Sequence, residues 1–485
     1  MTGKYSIGRI FIPGGIVSPG DLRRIATTAF HFGIPFLNLG FRQQIMLRYK
    51  EKQRADLEVR FANLQYDFRS GPVKEANIVS SCPVQGIAAG RKWLSEGIYR
   101  EILASFSYTP AIEINICDPL QGMFPLFGGR LNYLASEFEN YWHLYIVHPV
   151  SLVRWEWPVL IDSREIASLS FEIERILTGH PDISLPELES AIYNLKEWTF
   201  RLVIDKAVFR SRRFFYYEGI HSLGGNSYWL GIYERLNQYP VEFMEAVAML
   251  CSQTDIGSIS ITPYKSIIIK NIREKDLPLW ENLLGKYRIN TAHSALEVNF
   301  LLPDMHQGAL KLRKSIVDYF DNREVRSEGL VFALHAESIP FPDALVLIEE
   351  VSGISVMGKK FFDTYRIRYK KDFNAYETEY ITFSDYIKKR DIPEVLIYLC
   401  SLYYERVRVR QEKKELPEQK EPQSPVSYSC SFCLTEYSEE YGDSFNGIIP
   451  GIPFELLSES YECPLCGASK NSFVKIPAEG GGYDH

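Results

Sequence analysis

The sequence predicts an α+β protein in which two tandem copies of one module are followed by a small metal-binding domain. Three observations support this prediction: a pattern of helices and strands that recurs at an offset of 222 residues, a polar stretch at 408–427, and two C-x2-C pairs beyond it. A chain of 485 residues is long enough for three or more domains, and 46% hydrophobic residues are typical of a globular protein.

The internal repeat consists of an amphipathic helix followed by two apolar strands on either side of a polar turn. One copy occupies 22–47 and the other 244–269, so that Leu39 corresponds to Ile261. A further helical segment follows each copy. The order strand, helix, strand, strand, helix is typical of a ferredoxin-like half-domain.

Each half-domain is followed by a longer mixed α/β stretch, and a polar linker and a C-terminal domain complete the predicted organisation. The predicted bounds are 1–71 and 72–215 for the first half-domain and its α/β domain, 216–289 and 290–407 for the second pair, 408–427 for a flexible linker, and 428–478 for the metal-binding domain. The linker is predicted because Lys, Glu, Gln, Pro and Ser dominate it and bury little apolar surface.

Charge is distributed unevenly along the chain. Nine acidic residues and two lysines lie between 428 and 485, so this segment carries the whole net charge of −7. An acidic domain on a neutral body favours steering toward a basic protein surface and disfavours nucleic acid, although acidity that serves only solubility is the alternative. No apolar run reaches the ~20 residues of a membrane span. No secretory pattern opens the sequence, so we expect a cytoplasmic protein without membrane contact.

Four cysteines near the end of the sequence form a metal-ligand pattern. Cys430, Cys433, Cys463 and Cys466 are spaced as C-x2-C-x29-C-x2-C. Two such turns facing each other place four thiolates tetrahedrally around one metal, which the softness of the ligands limits to iron or zinc. The spacing alone does not choose between these two metals.

The residues around these cysteines resemble the rubredoxin family. The shared features are Tyr428 two residues before the first cysteine, the run NGIIPGIPF at 446–454, and CPLCG at 463–467. The resemblance implies one iron in a tetrathiolate site that transfers single electrons. It also implies a small aromatic core beside the metal, made of Tyr428, Tyr437, Phe454, Tyr461 and Phe473.

Three positions depart from the rubredoxin pattern. Leu434 replaces the glycine that usually follows the second cysteine, Thr435 replaces an aromatic residue, and Tyr461 replaces a tryptophan. The leucine predicts either less favourable hydrogen bonding from the backbone to sulfur, or a bulkier apolar edge that faces a partner. None of these departures removes a ligand.

The body of the chain resembles the siroheme-dependent sulfite and nitrite reductases. The resemblance covers most of 1–400 and rests on architecture, on the turn 41–43 (Phe-Arg-Gln), on the segment NIVSSCPVQG at 77–86, and on the second copy of the half-domain. It implies tandem ferredoxin-like half-domains joined to reductase-like α/β domains. It also implies that Arg42 is a ligand for a siroheme carboxylate, the alternative being an ordinary surface or turn arginine.

Several parts of the reductase site are missing. The family carries paired cysteines for a [4Fe–4S] cluster in its second module, and one of their thiolates bridges to siroheme iron. In this body the cysteines are widely scattered: Cys82, Cys117, Cys251 and Cys400. Ala76 and Glu113 stand where the family has basic residues that hold anions. The departures predict a body that holds neither siroheme nor a [4Fe–4S] cluster.

Together these features predict one-electron transfer through the iron site, tethered to a catalytically degenerate reductase-like body, rather than a stand-alone enzyme. By analogy of fold, the body is expected to dock on a redox partner protein such as a nitrate, nitrite or sulfite reductase system. Two alternatives stay open. One is a siroheme-dependent nitrite or sulfite reductase that lacks the usual iron–sulfur cluster, and the other is a non-redox interaction protein with a structural zinc knob.

Overall fold

The computed structural model divides the chain into two compact units, Met1–Tyr403 and Tyr404–His485. The residues that the structure describes are 5–71, 76–122, 124–203, 207, 218–291, 297, 299–327, 329–334, 344–351, 355–356, 359–360, 364–374, 377, 379–415, 427–438, 441–443, 445–446, 448, 452 and 454–476. No helix in this described part combines the length and the apolar character that a membrane crossing requires.

The first half-domain forms because one helix buries an apolar stripe on a small sheet. Its elements are β1 (Tyr5–Ile10), β2 (Ile16–Val17), α1 (Pro19–His31), β3 (Phe36–Leu39), β4 (Ile45–Lys50), α2 (Arg54–Asn63) and β5 (Phe68–Ser70). The Ser18 hydroxyl caps α1 by accepting the backbone N–H of Asp21 at 3.0 Å. Leu22, Ile25 and Ala29 then recur at helical spacing and are buried.

The first α/β domain has a mixed sheet whose central strands are apolar throughout. Its elements are β6 (Ile78–Ser80), α3 (Glu96–Ser105), β7 (Ile114–Cys117), β8 (Leu131–Ala135), β9 (Tyr141–Val147), β10 (Arg154–Glu156), β11 (Val159–Asp162), α4 (Ile166–Gly179), α5 (Leu185–Tyr193) and β12 (Phe200–Leu202). The strand order is β12-β11-β9-β8-β7-β6, with β10 also paired to β9. Strands β6, β7 and β8 are parallel and buried, which explains their lack of alternation.

The second half-domain repeats the first and exchanges an edge strand with it. Its elements are β13 (Gly219–Gly224), β14 (Ser227–Tyr233), β15 (Tyr239–Pro240), α6 (Val241–Gln253), β16 (Ile259–Ile261), β17 (Ser266–Arg273) and α7 (Leu277–Tyr287). Strand β15 pairs with β3 of the first half-domain, and β2 pairs with β16 of the second. Helices α1 and α6 pack against each other, so the two half-domains share one core.

The second α/β domain repeats the topology of the first, which confirms the predicted α+β class with tandem modules. Its elements, with α9 continuing beyond the first unit, are β18 (Phe300–Leu301), α8 (Gln307–Asp321), β19 (Phe332–Leu334), β20 (Val346–Val351), β21 (Ser355–Val356), β22 (Lys359–Lys360), β23 (Thr364–Lys370), β24 (Tyr380–Lys388) and α9 (Ile392–Glu415). The order β18-β19-β20-β23-β24 again begins with three parallel strands and ends with antiparallel ones.

The predicted linker is wrong at its beginning. Helix α9 continues to Glu415, so residues 408–415 are helical rather than flexible. Composition misled the prediction because the Arg, Gln, Glu and Lys that bury little surface are also strong helix formers. Residues 416–426 of the predicted linker lie outside the described residues.

The C-terminal unit contains a small antiparallel sheet beyond α9. Its strands are β25 (Ser427–Cys430), β26 (Glu436–Ser438) and β27 (Phe473–Ile476), in the order β26-β25-β27. A sheet of this size is marginal by itself. Additional order must therefore come from side chains packed beside it and from a bound metal.

Candidate metal centre

The two C-x2-C turns of the C-terminal unit have the same backbone conformation. The N–H of Leu434 donates to the carbonyl of Cys430, and the N–H of Gly467 donates to the carbonyl of Cys463, both at 2.9 Å. The residue after the second cysteine of each turn has a positive φ, 61° at Leu434 and 70° at Gly467. The sequence motif thus folds into two matching turns that present four sulfurs to one point.

The four sulfur atoms lie at the separations that one tetrahedral metal ion requires. All four Sγ atoms are within 4.8 Å of one another. Sγ of Cys430 is 3.7 Å from Sγ of Cys466, and Sγ of Cys433 is 3.4 Å from Sγ of Cys463. A regular tetrahedron with metal–sulfur bonds of about 2.3 Å has edges of about 3.8 Å. These residues therefore fit a tetrathiolate-bound iron or zinc.

Leu434 keeps the glycine-like conformation of the first turn. A leucine at φ 61° costs roughly 1–2 kcal/mol relative to a right-handed conformation. Its side chain is 75% exposed, and Phe432 and Leu465 beside the cysteines are 78% and 73% exposed. The substitution therefore leaves the turn intact and adds an exposed apolar edge around the centre; that this edge faces a partner stays a prediction.

Thr435 contacts a ligand sulfur directly. Its hydroxyl lies 3.1 Å from Sγ of Cys433, where it can donate a hydrogen bond to the thiolate. This hydrogen bond is the main cause that lowers the pKa of Cys433 to about 6. From the sequence, Thr435 was noted only because it replaces an aromatic residue. A hydroxyl two positions after a ligand cysteine was the signal that could have identified its role.

The aromatic core predicted beside the metal is present. The rings of Tyr428 and Phe454 are stacked with centroids 4.2 Å apart, and Tyr437, Tyr461 and Phe473 pack around them. The buried hydroxyl of Tyr461 donates to Asp443 at 2.8 Å, as a buried phenol requires. These rings fill the space beside the cysteine turns and fix the turns relative to the sheet.

Arg42 is buried in the body and bonded to protein groups. Its guanidinium donates to the carbonyls of Asn77, Ile114 and Gly128 at 2.5, 3.0 and 2.9 Å, and to Oδ1 of Asn115 at 3.2 Å. It is 2% exposed, so it is not a surface arginine, but it does lie in a turn, as the alternative also allowed. It joins the turn after β3 to the first α/β sheet. A role toward a siroheme carboxylate stays a prediction.

Two glutamines that the sequence did not single out as ligands act with Arg42. The backbone of Gln43 has a φ of 61°. Its side-chain amide nitrogen donates to the carbonyls of Ser80 and Ile261 at 3.0 and 2.8 Å, and its side-chain oxygen accepts the N–H of Ser80 at 2.9 Å. Gln44 donates to Asp304 at 3.4 Å. The turn thus connects both half-domains and both α/β domains, because its polar side chains satisfy buried backbone groups.

No three cysteines of the body are brought together among the described residues. In that part of the chain, the four C-terminal cysteines form the one group of three or more His, Cys, Asp or Glu side chains close enough to hold a metal ion. Burial raises the pKa of Cys82, Cys251 and Cys400 to about 12. These thiols stay protonated near neutral pH, and a protonated thiol is a poor metal ligand.

Comparison with known proteins identifies relatives of the C-terminal unit. The family profile described as Rubredoxin matches residues 427–473. Over 49 residues the chain is 45% identical to the high molecular weight rubredoxin of Moorella thermoacetica and 43% identical to Rubredoxin-2 of Chlorobaculum tepidum. Each match covers 10% of this chain, but 21% of the first relative and 94% of the second. The chain therefore spans about a fifth of one relative's length and nearly all of the other's.

The body shares its fold with a solved structure, that of the NirA protein of Mycobacterium tuberculosis. The two chains superpose with a TM-score of 0.61 over 81% of this chain and 80% of the other, at 12% sequence identity. At this identity the similarity shows the fold alone. It confirms that the predicted resemblance of architecture is correct.

Proposed function

Because residues 427–473 place this chain in the rubredoxin family, we propose that it transfers single electrons through one iron held by Cys430, Cys433, Cys463 and Cys466. The observation that carries the proposal is the arrangement of the four sulfur atoms, all within 4.8 Å of one another. Iron bound there supplies a one-electron couple between its ferric and ferrous forms. Four thiolates saturate a tetrahedral ion and leave no position for a substrate.

The protein groups around the sulfurs stabilise the extra negative charge of the reduced centre. The backbone N–H groups of Thr435 and Ala468 bond the sulfurs of Cys433 and Cys466, and the Thr435 hydroxyl also lies against Cys433. Such hydrogen bonds favour the more negative, reduced form of the site and raise its reduction potential. The four cysteines would hold the iron in both oxidation states, and the electron would be supplied by a one-electron donor protein and passed to an oxidised acceptor.

We propose that the body is catalytically degenerate and serves to dock on a partner oxidoreductase, such as a nitrate, nitrite or sulfite reductase system. Its scattered, protonated cysteines and the engagement of Arg42 with backbone carbonyls support this reading. The C-terminal segment carries a net charge of −7, which favours approach to a basic surface of a partner. Tethering to the docked body raises the effective concentration of the iron domain near that partner.

The test of the proposed function is a visible absorption spectrum of the full chain, with metal analysis, before and after dithionite. We expect a red protein with one iron per chain whose thiolate-to-iron bands bleach on reduction, and no tetrapyrrole bands. A colourless protein that carries zinc after growth with adequate iron would contradict electron transfer. Bands of an isobacteriochlorin macrocycle would instead contradict the degenerate body.

Thr435→Val should lower the reduction potential of the iron without changing iron content. The substitution removes the hydroxyl 3.1 Å from Sγ of Cys433 but keeps the side-chain shape. The reduced centre carries one more negative charge, so losing a donor disfavours reduction. A fall of about 30–60 mV is expected, equal to about three- to tenfold in the equilibrium constant of a one-electron couple. Potentiometric titration of the visible bands measures it.

Thr435→Ser is the matched control, because it keeps the hydroxyl and removes only a methyl group. Its potential should stay close to that of the unmodified protein. Equal potentials for the valine and serine variants, with iron fully retained in both, would show that the hydroxyl does not tune the site.

A further inference from the structure

The body contains a cavity between the first half-domain and the beginning of helix α8. Its volume is about 590 Å³, within the range of small-molecule sites. The lining is partly aromatic and partly charged, with five Lys and Arg side chains against two glutamates. Arg48 on β4 and Gln307, the first residue of α8, both line it.

The equivalent contact, between the second half-domain and the first α/β domain, is closed by an ion pair. Lys270 on β17 is the counterpart of Arg48 at the repeat offset of 222. The buried Lys270 ammonium is paired with Glu96 and also donates to the carbonyls of Cys82 and Gln85 at 3.3 and 3.1 Å. Glu96 is the first residue of α3, so its carboxylate also lies at the positive end of that helix.

The contact with the cavity, between the first half-domain and the second α/β domain, lacks this carboxylate. Helices α3 and α8 follow the first strand of their sheets and have matching caps: the side chains of Ser95 and His306 accept the N–H three residues on. Gln307 therefore stands where α3 has Glu96. Among the described residues no carboxylate lies within ion-pair distance of Arg48, whose guanidinium lies 4.7 Å from the ring centroid of Tyr5.

The carboxylates that line the cavity are already bonded to protein groups, and Lys265, which also lines it, is paired with Asp304. Glu297 is paired with Arg235 and with Arg313, the latter at 3.7 Å, and Glu234 accepts the N–H of Gln238 at 2.6 Å. Arg313 lines the cavity, is 6% exposed, and its Nε has no hydrogen-bond acceptor within the described part of the chain. Of the five cations, Arg48 and Lys50 therefore have no carboxylate partner among the described residues, and they line the same cavity as the positive end of α8 and the unbonded Nε of Arg313.

We propose that this cavity binds a small organic anion whose carboxylate takes the place that Glu96 fills beside Lys270 in the equivalent contact. The anionic group would pair with Arg48 at the N-terminus of α8. An apolar or aromatic remainder would lie against the rings of Phe36, Phe41 and Phe300, which line the same space. This inference concerns the body alone and does not depend on the iron site.

The test is calorimetric titration of the full chain with benzoate and with neutral benzamide, which has nearly the same shape. We expect benzoate to bind once per chain, and benzamide about tenfold or more weakly because it forms no charge-assisted hydrogen bond. Gln307→Glu, which supplies the missing carboxylate, and Arg48→Gln should each weaken benzoate about tenfold or more. Both positions are surface positions, so the variants should fold.

Lys311→Gln is the matched control, because it changes the net charge by the same amount as Gln307→Glu. Lys311 is exposed on α8 and does not line the cavity. It should leave benzoate affinity within about twofold, because exposed charges at a distance are screened by salt. The proposal is overturned if benzoate at about 10 mM, a range expected for a ligand this small, does not bind. It is also overturned by equal affinities for benzoate and benzamide, or by unchanged affinity in Gln307→Glu and Arg48→Gln.

Discussion

Cys463→Ser is expected to remove iron from the C-terminal unit while the body stays folded. Cys463 is buried, and its sulfur lies 3.4 Å from that of Cys433, so a serine leaves three thiolates and a harder, protonated hydroxyl in the first coordination shell. Iron per chain should fall at least about tenfold, since even groups outside the ligand set change metal affinity 10–100-fold. Metal analysis and the visible bands of the purified variant measure this loss.

The same variant tests the division into two units. The small sheet of the C-terminal unit depends on its metal, so that unit should lose order when iron is lost. The body has separate cores and should keep its far-ultraviolet circular dichroism and its melting transition. Ser431→Ala, at an exposed position between two ligands, is the control and should keep its iron. Full iron retention in Cys463→Ser, or unfolding of the body, would contradict this account.

The features that the sequence predicted well are those in which residue type and spacing determine the structure directly. Two C-x2-C pairs can close on one ion only when the turns face each other, and the structure places the four sulfurs together. The repeat was predictable because buried strands need apolar residues at corresponding positions, as at Leu39 and Ile261. Both signals are local in sequence or periodic along it.

The features that the sequence did not predict depend on contacts between distant segments. The exchange of β2 and β15 between half-domains involves two-residue strands, which carry no recognisable pattern. Gln43 reaches Ser80 and Ile261, residues 37 and 218 positions away. A polar turn residue gives no indication of whether it faces water or a buried carbonyl, and only the packing of the domains decides this.

The comparison of the two modules adds information that neither copy provides alone. The ion pair between Lys270 and Glu96 shows how one of the two equivalent contacts is filled. At the equivalent contact Gln307 is neutral, so the carboxylate that would pair with Arg48 is missing. When only one sequence is considered, each copy of an internal repeat can be compared with the other, both in its residues and in its contacts.

Arg42→Met is expected to lower the free energy of unfolding of the body by about 3–5 kcal/mol. The methionine fills much of the same volume but leaves the carbonyls of Asn77, Ile114 and Gly128 without their donor. Each buried acceptor left unsatisfied costs about 1–3 kcal/mol, and the costs of neighbouring groups are not fully additive. Chemical denaturation followed by circular dichroism measures the change.

The Arg42 experiment separates a structural role from a role in holding a tetrapyrrole. Arg42→Lys should fall between the methionine variant and the unmodified protein, because one ammonium cannot reach all of the acceptors that a planar guanidinium does. Arg60→Met, on the exposed face of α2, is the control and should change stability by no more than about 0.5 kcal/mol. The visible bands of the iron centre should be the same in all three variants. If Arg42→Met is as stable as Arg60→Met in protein that contains no tetrapyrrole, the hydrogen bonds of Arg42 do not stabilise the body. That outcome would support the prediction that Arg42 is a siroheme ligand.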